Sequence, residues 1–171
     1  YVYIGHGDGT FEPPVTYENL PHLRVIEVVD FTGDGWPDMI AVSQDGHFIV
    51  HHNYGDGTFW MYEYPIGHLA GRVPNSICAM DMNLDGNIDL IVSMYNDANG
   101  IAIMCSHSDG LFYECVYPSM VTAAGATITA DLTADGWPDY MRVNESYGLV
   151  TPHLGYYKEG DFPNLGYGNL E

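Results

Sequence analysis

The chain is short of positive charge. Four Lys and Arg residues face 23 Asp and Glu across 171 residues, giving a formal charge of −19. Such a surface repels phosphate backbones, so nucleic acid is excluded as a partner. Long hydrophobic runs are also missing. Although 46% of the residues are apolar, no stretch is long enough to cross a membrane, and no membrane insertion is expected. Disorder, the other common meaning of strong acidity, does not fit the many aromatic and β-branched residues. No H-E-x-x-H, G-x-S-x-G or P-loop pattern occurs. The eight histidines, densest at His47, His51 and His52, therefore carry no catalytic signature. No signal peptide is visible, and Tyr1 opens inside a strand-like stretch, which predicts a processed or partial chain.

Cysteine is scarce too, and its three copies permit one disulfide. Cys105 and Cys115 flank the turn Ser108-Asp109-Gly110-Leu111. With a three-residue loop they would stand opposite one another, close enough to bridge. Two unrelated buried thiols are the alternative. Cys78 lies within a strand pattern and reads as an inert core residue.

Acid is abundant, and much of it is ordered. Asp30-Phe31-Thr32-Gly33-Asp34-Gly35-Trp36-Pro37-Asp38 returns as residues 81–89 and again as 131–139. Oxygen side chains hold positions 1, 3, 5 and 9 of each nonapeptide, and glycine holds position 6. Oxygens converging from alternate residues, with a backbone carbonyl at position 7, are how a short loop wraps a hard cation such as calcium. The expected ligands are Asp30, Thr32, Asp34, Asp38 and the Trp36 carbonyl in the first loop. In the second they are Asp81, Asn83, Asp85, Asp89 and the Asn87 carbonyl. In the third they are Asp131, Thr133, Asp135, Asp139 and the Trp137 carbonyl. Three Ca2+ sites follow, and three bound ions would offset six of the negative charges.

The flanks decide what kind of loop this is. A helix-loop-helix site needs a bidentate Glu at position 12; here Ala41, Val92 and Arg142 stand there. Short apolar runs, often β-branched, precede and follow each loop. Val25–Val29 and Met39–Val42 are the first pair. Such runs read as buried strands, so each loop joins two strands.

A second landmark keeps the same rhythm of about 50 residues. Gly7-Asp8-Gly9-Thr10-Phe11 recurs at 55–59, at 108–112 and, degraded, at 158–162. Asp-Gly between apolar segments marks a hairpin, and the Phe after it is expected to anchor the outer strand. One repeat then holds four antiparallel strands, expected at 23–29, 39–43, 47–54 and 59–64. A four-stranded unit of this period fits a blade of a β-propeller. The expected architecture is all-β: a half blade at 1–18, then blades at 19–68, 69–120 and 121–171. Three and a half blades do not close a ring. Further blades are expected from a longer chain or another copy, because open sheet edges are hazardous.

D-F-T-G-D-G-W-P-D, then an apolar strand, then G-D-G-T-F, resembles the FG-GAP/VCBS repeat of integrin-α-type β-propellers. The resemblance covers nearly the whole chain. It implies calcium on the propeller rim, in the loop between the first two strands of each blade, held by the residues named above. Threonine at position 3 departs from an all-carboxylate site and weakens affinity. The family occurs in integrin ectodomains, in lectins and beside catalytic modules of secreted polysaccharide-degrading enzymes.

The expected function is a calcium-stabilised, extracellular, non-catalytic recognition or adhesion module, with a protein or glycan as ligand. Exposed aromatics such as Trp60, Tyr62 and Tyr64, or Tyr156 and Tyr157, would make contacts, whereas Trp36 and Trp137 are expected to pack. The alternatives are a structural subunit of a fibre or surface assembly, and the propeller domain of a secreted carbohydrate-active enzyme. Asn144-Glu145-Ser146 is the one N-x-S/T sequon, a glycan site if the chain is secreted from a eukaryote.

Overall fold

The computed structural model describes residues 1–17, 22–44, 47–65, 72–95, 100–107, 112–116, 124–144, 148–156 and 166–169. Among them there is no helix. Three four-stranded antiparallel sheets follow one another along the chain. The first holds β1 (Leu23–Val29), β2 (Asp38–Ser43), β3 (His47–Asn53) and β4 (Phe59–Pro65). The second holds β5 (Val73–Met80), β6 (Asp89–Tyr95), β7 (Ile101–Ser106) and β8 (Phe112–Val116). The third holds β9 (Ala124–Ala130), β10 (Asp139–Asn144), β11 (Leu149–Tyr156) and β12 (Gly166–Asn169). Within each sheet the strands lie in chain order.

The same irregularity opens every sheet. The ladder between first and second strands slips between Leu23 and Val25, between Pro74 and Ser76, and between Arg142 and Asn144. Pro74 has no amide hydrogen to give, and a bulge is where a strand tolerates it.

First strands stand side by side: β1 lies against β5, and β5 against β9. The cores lie in the seams between sheets. Ile40, Val42, Phe48 and Val50 of the first sheet face Leu90 and Met104 of the second. Ile91, Ile101 and Ile103, on the other face of the second sheet, meet Tyr140 of the third. Covered on both faces, β6 and β7 are almost continuously buried, which explains their unbroken apolar runs. The end sheets are not covered in this way. Ile26 and Val28 of β1 and Ile128 of β9 are exposed, against the expectation of buried strands, because among the described residues no further sheet covers those faces.

Residues 1–17 form an irregular hairpin, held by bridges Val2 to Val15 and Gly5 to Phe11 rather than by full strands. Its turn at Asp8 has the same bonds as the turn at Asp56: each carboxylate accepts from the amide and hydroxyl of the Thr two residues on. These bonds hold both carboxyls below the usual range. The expected Phe anchor holds at Phe112, stacked 5.0 Å from Phe31. It fails at Phe11, which is exposed and meets Tyr3 of its own hairpin edge-on.

The cysteine register also differs from expectation. Ser106 pairs with Phe112, so the connection is longer than three residues, and Cys105 stands opposite Tyr113. Cys105 is disulfide-bonded; the Cys115 side chain, the Asn144 side chain and residues 145–147 of the sequon stretch lie outside those described. Cys78 is free and buried. Its thiol donates to the Thr127 carbonyl at 2.7 Å, and burial pushes it up to about 12, as an inert core thiol requires.

Candidate metal loops

Each nonapeptide spans the gap between a first and a second strand. The last residue before the loop pairs with its ninth residue in all three: Val29 with Asp38, Met80 with Asp89, Ala130 with Asp139. Two left-handed residues fold the loop. Position 6 is always glycine, as expected: Gly35, Gly86 and Gly136. Position 4 is left-handed as well, with φ of 74° at Gly33, 58° at Leu84 and 57° at Ala134.

The first aspartate gathers the loop around itself. Asp30 Oδ1 accepts from the amides of Gly33 and Asp34, and Oδ2 from Gly35, at 2.8–3.1 Å. Asp81 and Asp131 accept from the equivalent amides at positions 5 and 6. The fifth residue accepts from the seventh amide in every copy: Asp34, Asp85 and Asp135. Asn83 adds a carbonyl to the Asp85 amide and an amide to the Asp85 carboxylate. These side chains are mostly exposed.

Position 9 is different. Asp38, Asp89 and Asp139 are fully buried. Oδ2 of each accepts from amides at the start of its own loop, Phe31 and Thr32, Met82, and Leu132 and Thr133. Oδ1 of Asp38 accepts from Asn53, and Oδ1 of Asp89 from Ser106, at the far ends of β3 and β7. Burial pushes the Asp89 carboxyl up to about 6. Its amide partners pull it down, and the charges of Asp85 and Asp81 push it up again.

Trp36 meets the packing expectation only in part: half its surface is exposed, but its ring lies where a side chain on Gly55 would begin, 2.4 Å from an added Cβ. Asn53 completes the link, accepting from the Gly55 amide and donating to the Pro37 carbonyl. The first loop is thereby tied to the β3–β4 turn at the same end of its sheet.

Residues 30–92 match the FG-GAP-like repeat. The chain carries an FG-GAP-like repeat. The match runs from the first residue of the first loop, through the Asp56 turn and the second loop, into β6. No curated protein matches the chain. The third loop lies outside the matched stretch but repeats the bonding of the FG-GAP-like part.

By type, the loop residues suit a hard cation. Every donor is oxygen, and among the described residues no basic side chain pairs with the acids of the first two loops. A carboxylate has about four lone-pair sites, so accepting amides leaves room for an ion. The carboxylates are turned onto their own amides, however: among the described residues no three His, Cys, Asp or Glu side chains gather as a cage.

The described histidines do not converge either. His47 meets Glu63, His52 stacks on Trp60 at 5.6 Å, and His51 is buried. Trp60 and Tyr62 are exposed, as a contact surface requires, whereas Tyr64, Tyr156 and Tyr157 fall outside the described side chains. One cluster had no sequence signal. Arg142 Nε donates to His153 Nε2 at 3.0 Å, and the Tyr140 ring stacks on that imidazole at 4.6 Å. Burial, and then the Arg142 charge, bring His153 down to about 4. Reading across the ladders would have placed these three together, since each is ordinary within its own strand.

Proposed function

We propose that this chain is part of a calcium-stabilised β-propeller that acts outside the cell as a non-catalytic recognition module for a protein or glycan. The observation that carries the reading is the threefold loop. At one junction of three successive sheets, three carboxylates share a nine-residue turn, and among the described residues no basic side chain offsets those of the first two loops. The ions would be held by positions 1, 3, 5 and 9 with the carbonyl at 7, namely Asp30, Thr32, Asp34, Asp38 and Trp36 and their counterparts. Calcium would supply charge neutralisation and rigidity there. Its larger, more flexible shell suits these mixed ligands better than magnesium's octahedron.

Extracellular calcium modules bind with dissociation constants of roughly 10⁻⁴ to 10⁻³ M, so the sites fill outside cells. The FG-GAP-like repeat supports the same location. At about ten times the dissociation constant three sites add roughly 4 kcal/mol. For a domain of this size that is about 10 °C in unfolding midpoint. Thermal unfolding in calcium, magnesium and chelator tests it. The expected order is calcium well above magnesium, and an unchanged midpoint in chelator would sink the reading. Retention on a glycan and protein array in calcium, beside turnover assays on polysaccharides, tests the non-catalytic role.

A further inference from the structure

The second sheet covers one face of the first, but not the whole of it. The first strands touch, β1 against β5, and the seam closes over Ile40, Val42, Phe48 and Val50. Alternation along β3 puts His52 on the same face as Phe48 and Val50. Across the ladder Trp60 pairs with His52 and Tyr62 with Val50, so both belong to that face of β4. Both sheets that make this seam are present, and still Trp60 is 52% exposed and Tyr62 41%. The seam is shut along its middle strands and open at its mouth on β4.

A file of rings leads from the core to that mouth. Phe112 of β8 lies 5.6 Å from Phe48 and stacks on Phe31 at 5.0 Å. Phe31 meets His52 at 6.5 Å, and His52 stacks on Trp60 at 5.6 Å with the planes 21° apart. Tyr62 stands 5.8 Å beyond Trp60, its plane turned by 55°. The indole is thus backed by the imidazole on one face and open to solvent on the other. Rings held from behind lose little freedom when a ligand covers them, so the pair is pre-organised for contact.

We infer that Trp60 and Tyr62 stack the sugar rings of a neutral glycan chain at the mouth of this seam. The inference rests on the recognition reading above and narrows its ligand. An open ring without walls covers one flat face of its ligand and leaves the edge in water. A pyranose is divided in that way, with C–H bonds on its faces and hydroxyls around its edge. An apolar protein side chain would stay half wet there, whereas anchors of that kind sit in enclosed pockets. A chain of charge −19 repels acidic glycans, which selects an uncharged one. The 55° between the rings follows a twisted single chain and not a flat crystalline surface, which needs coplanar rings.

The test is calorimetric titration of the 171-residue chain, in calcium, with cellohexaose, laminarihexaose, maltohexaose and mannohexaose, and with hexagalacturonate as the acidic control. At least one neutral hexamer should bind and change the tryptophan emission, and the acidic one should not. Trp60→Ala should weaken binding at least about tenfold, as loss of a central anchor does. Tyr62→Ala should weaken it roughly threefold to tenfold. Trp60→Phe keeps a ring on His52 and should retain part of the binding, which separates loss of the stack from loss of the fold. Met61 stands on the other face of β4, paired with His51, and Met61→Ala should leave binding unchanged. Binding by none of the neutral hexamers, equal binding of the acidic one, or full binding by Trp60→Ala would each overturn the platform. A protein retained on the array through Trp60, with no hexamer bound, would overturn the glycan and leave the recognition reading standing. Silence of both hexamers and array would overturn the two together.

Discussion

At the scale of single residues, the fourth loop position is the one the chain has not optimised. Gly33 adopts its left-handed conformation freely, but Leu84 and Ala134 pay a steric penalty there of roughly 1–2 kcal/mol. Ala134 is exposed, and a side chain on that loop has little packing to lose. Ala134→Gly should therefore stabilise the chain by about 0.5–1 kcal/mol, after the unfolded-state entropy of glycine is subtracted. Denaturant midpoints for the two proteins check this, and a lower midpoint for the glycine variant would mean the loop is not left-handed there. Glycine is legible at position 6 because it recurs there. Position 4 is not legible, because Gly, Leu and Ala share a backbone shape without sharing a side chain. His153 escaped for a related reason. It looks like a scattered strand residue until its cross-strand neighbour, Arg142, is known.

At the scale of elements, the loop and the two strands it joins form one bonded unit. Asp38 receives three amides, two from the loop and one from the end of β3. Hydrogen bonds to a buried charge contribute about 1.5–3 kcal/mol each, and their donors cannot be left unpaired cheaply. Asp38→Ala should cost about 3–5 kcal/mol even in chelator, where any contribution of calcium is gone. Equal stability of the two proteins in chelator would show that Asp38 serves only a metal. The strands themselves were legible: expected 23–29, 39–43, 47–54 and 59–64 against Leu23–Val29, Asp38–Ser43, His47–Asn53 and Phe59–Pro65. Alternating apolar residues between turn signals are a local code, so they survive reading one residue at a time. The burial of position 9 was not legible, because an aspartate at a strand start looks alike whether it faces water or three amides.

At the scale of the whole molecule, the covered and uncovered faces of equivalent strands differ sharply. Ile77 of β5 is 7% exposed, whereas its counterpart Ile26 is 61% exposed. At the other end Ile128, Leu149 and Val150 are exposed on the third sheet. A sheet face of this kind ordinarily packs against another sheet. We expect further blades, from a longer chain or a second copy, to cover both ends. The 171-residue chain alone should then self-associate in calcium at micromolar concentration, while a chain extended by further repeats should not. Sedimentation of both checks this, and a folded, monodisperse monomer of the short chain would contradict it. The link from Asp38 through Asn53 to the Gly55 turn bears on how such a molecule comes apart. Opening a loop frees the Asn53 amide and releases Trp36 from Gly55 in the same event, so the corner of the sheet loosens with it. A protease cutting at the Asp56 turn would thus be reporting on an aspartate two strands away, at the start of β2.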